Sequence, residues 1–225
     1  MPMTQLHVEH CELTYEGAFA RPAFSLNDSP GAICDSLLGA LEPFGCTGAD
    51  LTLIEGEPGE RGVACEIVEL ETQVTFHGDR IEIYCPDYAR RTATDLARVL
   101  NSLWSGLAGA DNRVLAKTHS FRFEADGAIR EASYQQVLNR FAPAPSSLPA
   151  GTESAVVYYL PAEPNQGYAE SSLVLNRSVG LNHGLQVDAT LVYEAQVVAP
   201  AVALSSAQTR LGELLLQLGV DWIED

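Results

Sequence analysis

Lysine is nearly missing from this chain. Lys117 is the only one, and Lys and Arg together number 13 against 30 Asp and Glu, a net charge of −17. Nucleic-acid affinity rests on cations that displace counterions from phosphates, so this scarcity argues against direct nucleic-acid binding and against anionic membrane surfaces. A phosphate-binding loop ends in Gly-Lys-Ser or Gly-Lys-Thr, and Lys117-Thr118 follows no glycine run, which excludes one. No G-x-S-x-G elbow, H-E-x-x-H helix or G-x-G-x-x-G fingerprint occurs. No basic start leads into an apolar run, and no segment reaches the ~18 apolar residues a membrane helix needs, so a soluble cytoplasmic protein is expected. The five cysteines, Cys11, Cys34, Cys46, Cys65 and Cys85, show no C-x-x-C spacing and read as reduced, mostly buried thiols. No metal and no cofactor is expected.

What is present suffices for a core, since 46% of the 225 residues are hydrophobic. A strand over 7–16 leads to a helix with Ser29 as N-cap, Pro30 at its first position, and Ile33, Leu37, Leu41 and Phe44 at helical spacing. Strands follow over 50–55 and 63–76. In the second, Val68, Leu70, Val74 and Phe76 alternate with Glu69, Glu71, Gln73 and Thr75, the period of one buried and one solvated face. A partner strand over 80–85 precedes a long helix from about Asp87, striped by Leu96, Val99, Leu100, Leu103 and Leu107.

The order then repeats. A strand over 117–124 carries Phe121 and Phe123, and Ser133 caps a short helix with Tyr134, Val137, Leu138 and Phe141. The Pro-rich run 142–151 is a loop. Strands follow over 154–160, 168–181 and 185–198, and the last helix begins at Ser205, with Gln208 completing a capping box. Short matches keep register: Glu57-Pro58 and Glu163-Pro164 are 106 residues apart, as are His77-Gly78 and His183-Gly184. These point to a tandem duplication of a β-α-β-β-β-α unit, with halves 1–112 and 113–225 fused over one mostly antiparallel sheet and helices on one face, an α+β fold. This order of elements is similar to the duplicated saddle of the TATA-box-binding protein. The resemblance implies a saddle-shaped sheet and carries no residue roles, because no motif matches. The open face here would carry Glu69, Glu71, Glu82 and Asp188 in place of a basic surface.

Candidate chemistry is sparse. His10-Cys11 pairs a base with a nucleophile in sequence, but strand neighbours point to opposite faces, and His7 and His10 diverge for the same reason. His77 and His183 sit before glycines whose positive φ makes the turns. Glu69 and Glu71 would lie about 6–7 Å apart on one strand face, too solvated for acid–base work without a pocket. Val156, Val157, Tyr158 and Tyr159 form a run apolar on both faces, as in a central strand. Trp222 stands among acids at the end of the sequence.

Missing catalytic motifs and an acidic face together suggest a non-catalytic protein-interaction module, an adaptor, assembly factor or inhibitor. It would meet a basic protein partner through Glu69, Glu71, Glu82, Tyr158, Asp188 and Trp222 or through strand edges. A ligand or enzymatic pocket between sheet and helices or at the pseudo-twofold, using Tyr158, Tyr159, His119 and Glu69, is the alternative. A homo-oligomeric structural subunit is the third.

Overall fold

A computed structural model of the chain describes all residues except 1–2, 24–29, 58–59, 89–92, 111–114, 131–132, 142, 144–146, 148, 150–151 and 225. The expected cap Ser29, as well as Pro58 and most of the 142–151 loop, lies outside the described residues.

Ten strands form one sheet in the order β2-β3-β4-β5-β1-β6-β9-β8-β7, with β10 beside β1. The strands are β1 (Thr4–Phe19), β2 (Leu51–Ile54), β3 (Gly62–Ile67), β4 (Thr72–His77), β5 (Arg80–Cys85), β6 (Ala116–Ile129), β7 (Val156–Leu160), β8 (Ser171–Arg177), β9 (Gly184–Glu194) and β10 (Val220–Glu224). All ladders are antiparallel except β1 with β10. The helices are α1 (Pro30–Leu41), α2 (Ala93–Ala110), α3 (Tyr134–Leu138) and α4 (Pro200–Gln217). The chain is therefore α+β, as its patterning predicts. Among the described residues, no helix is long and apolar enough to cross a membrane.

Alternation along the two central strands explains the layers. Leu13 and Tyr15 on β1 lie opposite Phe123 and Phe121 on β6, all buried, while Glu12, Thr14 and Glu16 project to the other face. The helices supply the apolar stripes read from sequence: Ile33, Leu37 and Leu41 on α1, the five residues from Leu96 to Leu107 on α2, and Ala207, Leu211 and Leu215 on α4 are buried. Ser133 caps α3 in a complete capping box with Gln136, as expected.

Several expectations change. The strand over 63–76 is two strands, because Val68–Leu70 forms a 3-10 turn that ends on Glu71 at φ 48°, in the left-handed region. Glu69 and Glu71 are exposed in that turn and do not share a strand face. Val74 and Phe76 are buried as the alternation predicts, but Val68 is 68% exposed, because the turn breaks the ladder ahead of β4. Four strands thus lie between α1 and α2, and three between α3 and α4. The matched Glu-Pro loops consequently fall between different strand pairs, β2–β3 and β7–β8.

The last helix starts at Pro200, favoured at a first helical turn, so Ser205 is interior, its carbonyl accepting from the Thr209 hydroxyl. The long helix starts at Ala93, not at Asp87; Tyr88 precedes it and packs edge-on against Phe123. β7 is an edge strand, not a central one: Tyr158 packs toward Phe141, while Tyr159 is 85% exposed. His183 itself takes the positive φ, 67°, that its glycine was expected to supply. A register shift between Val8 and His10 puts both His7 and His10 on one face, opposite Ala128 and Asp126, rather than on opposite faces.

Candidate functional site

The residues expected to form an acidic docking face do not form one. Asp188 accepts both arms of the Arg122 guanidinium, at 3.0 and 2.7 Å, and Arg122 also reaches Glu124 at 3.0 Å. Glu82 accepts from Arg80 Nε at 2.6 Å. Trp222 is 9% exposed; it lies on β10 opposite Leu6 and donates from Nε1 to Glu224 at 2.8 Å. The terminal aromatic is thus part of the sheet and not a tail. Tyr158 faces the helix layer, and Glu69 and Glu71 sit on the β3–β4 turn. Charge that looked available in sequence is partly neutralised within the sheet.

The alternative pocket residues are not brought together either. His119 is 2% exposed, its Nδ1 2.9 Å from the Tyr15 hydroxyl, which also receives Trp104 Nε1–H at 2.7 Å. Burial holds His119 down at about 4, well below the ordinary 6.5, and pushes the Tyr15 phenol up. This is a satisfied core network. Cys11 is likewise buried, its thiol pushed up to about 12, while the neighbouring His10 turns out to bond Glu12 at 3.0 Å; they form no nucleophile–base pair. Among the described residues, no group of three or more His, Cys, Asp or Glu is placed to hold a metal.

A site that sequence reading missed lies at the far end of the first hairpins. A cleft of about 450 Å³ is bounded by Ile33 of α1, the end of β2, the loop into β3, and the β4–β5 turn. Leu53, Val63 and Phe76 line its helix side. Leu53 pairs with Val63, and Val63 with Phe76, so one cross-strand row supplies that apolar wall. Ile54, Gly62 and His77 form the next row and contribute to the lining. A Cβ at position 62 would collide with the Phe76 carbonyl oxygen, so only glycine lets β3 lie this close to β4.

Polar groups ring the opening. Glu55 and Arg61 come from the loop, and Arg61 Nε donates to the Gly56 carbonyl at 3.0 Å, which folds the guanidinium over its own loop. His77 Nε2 is 3.9 Å from Glu82 Oε1, and its Nδ1 is buried without a partner. Of the six residues first singled out, Glu82 therefore stands next to the cleft, through His77. Phe76 continues inward to Phe19 at 5.4 Å, and Phe19 to Trp104 at 5.7 Å, so the wall is rooted in the aromatic core. The signal available in sequence was the glycine pair, Gly56 and Gly62, flanking Glu57 to Arg61.

No family model matches the chain, and no curated protein matches it. Among solved structures, a rolling circle replication initiator protein from Geobacillus stearothermophilus is similar, with 9% identity over 94% of this chain and 84% of that one, at a TM-score of 0.33. That protein is named as a replication initiator, a class the sequence reading did not foresee. The interaction reading and its expected basic protein partner rested on six residues that the fold does not assemble into one surface. Both are withdrawn, together with the exclusion of nucleic acid that accompanied them. A likeness at this level transfers no activity to this chain.

Proposed function

We propose that the protein binds a small, largely apolar molecule in the cleft between α1, the β2–β3 hairpin and the β4–β5 turn. The observation that carries this is an apolar wall closed by a few convergent polar groups, in a space of the size that small organic ligands occupy. Leu53 adds weight: it is 60% exposed while lining that wall, so an apolar occupant would remove its side chain from water. Titration with the uncharged dye Nile red tests the reading. Saturable binding should weaken at least tenfold in Leu53→Glu and stay unchanged in Val157→Glu, which alters another exposed apolar residue on the distant edge β7. Non-saturable binding, or an equal response of both variants, would overturn it.

We infer also that 1–112 and 113–225 are equivalent halves. Support comes from the mirrored order β5-β4-β3 and β9-β8-β7 about the central pair β1–β6, and from the placement of His77 and His183 at the ends of corresponding hairpins. In this reading β2 belongs to the first half alone and β10 to the second, and the cleft, which needs β2, has no counterpart.

A further inference from the structure

Arg210, held against an aromatic ring, points to a second ligand site of different chemistry. Arg210 lies on α4 with its side chain only 12% exposed. Its guanidinium lies over the Tyr168 ring, 3.8 Å from the centroid, which fixes the plane of the fork. Tyr168 is braced in turn by Tyr193, 5.2 Å away and nearly fully buried. A guanidinium carries five N–H donors, and among the described residues Arg210 places one of them, on Glu163 at 3.5 Å. That partner is loosely held, since the Glu163 side chain is 45% exposed. The remaining Arg210 donors are open to solvent on the cavity side, held in a fixed plane and free to take a ligand.

Arg210 faces a cavity of about 290 Å³ between α4 and the loop that leads from β7 to β8. Leu160, Pro161 and Leu214 give it an apolar side, and Gln166 and Gln217 carry amides at its margin. A planar two-oxygen anion matches the fork bidentately, and carbon next to that anion matches the apolar side. Glu213 also lines the cavity but is exposed, and Glu163 occupies one donor alone. We infer that this cavity binds a small organic carboxylate, with Arg210 as the anchoring residue and Tyr168 as its positioning partner. The inference stands independently of the cleft at β2.

Benzoate, with benzyl alcohol as its neutral isostere, tests this on the full chain. Benzoate should shift the Arg210 Nε–H signal in ¹H–¹⁵N spectra at ~10 mM, a concentration that reports a Kd of ~1 mM. Benzyl alcohol should leave that signal in place. Arg210→Lys keeps the charge and the buried stem while losing the fork, and should weaken benzoate at least tenfold with its thermal melt retained. Tyr168→Leu should weaken it several-fold by freeing the guanidinium plane. An unmoved Nε–H signal, an equal shift from benzyl alcohol, or undiminished benzoate binding by Arg210→Lys would each overturn the assignment.

Discussion

Tyr15 and His119, 104 residues apart in sequence, meet in the core across β1 and β6 through a 2.9 Å hydrogen bond. Trp104 has only a donor, so its Nε1–H must go to the Tyr15 oxygen, and the Tyr15 proton then points to His119 Nδ1. His119 is therefore the Nε2–H tautomer. One core thus joins α2, β1 and β6.

The burial of His119 makes stability depend on pH in a definite direction. His119 is held near 4 in the folded chain, against 6.5 when free. Between those values the unfolded chain binds more protons, so stability is fully present above about pH 6.5 and declines as pH falls toward 4. Thermal melts across this range should show the decline in the wild type and a shallower one in His119→Gln. Identical slopes would mean that other groups control the acid limb.

Tyr15→Phe removes the acceptor of the Trp104 N–H and the donor to His119, leaving two buried polar groups unpaired. Urea denaturation should show a loss of about 1–3 kcal/mol with an unchanged denaturant slope.

On the open face Glu12, Glu124 and Asp188 stand directly opposite one another across β1, β6 and β9. Such a row of like charges is unfavourable, and Arg122, one row away, offsets it by bonding two of the three. Arg122→Gln should cost about 0.5–1 kcal/mol, the group being half exposed and partly screened. Raising the salt should recover part of that loss, whereas a salt-independent deficit would assign it to packing.

Two glycines should respond oppositely to alanine. Gly62→Ala drives a Cβ into the Phe76 carbonyl and should cost about 2 kcal/mol or more, with loss of dye binding at the cleft. Gly39→Ala meets nothing within 4 Å on the exposed side of α1 and should gain about 0.5–1 kcal/mol.

Native alkylation should spare Cys11 and Cys65, whose thiols burial pushes up to about 12, as well as the buried Cys46 and Cys85. Mass spectrometry should find one adduct, on the half-buried Cys34. Rapid labelling of Cys11 under native conditions would contradict the packed β1.

Local pattern alone was enough to determine the class of the fold, because period-two and period-3.6 stripes record which side of each element leaves water. Phe121 and Phe123, the α2 stripe from Leu96 to Leu107, and the Ser133 cap were all readable from local sequence. Charge could be counted but not located: the Arg122 fork on Asp188 spans 66 residues, and only strand register brings the two together. The turn at Val68–Leu70 hid inside an alternating run, because a left-handed Glu71 leaves no compositional mark. The cleft and the Arg210 cavity belong to tertiary structure for the same reason. Each is assembled from segments distant in sequence, and what makes each a site is the space left between them.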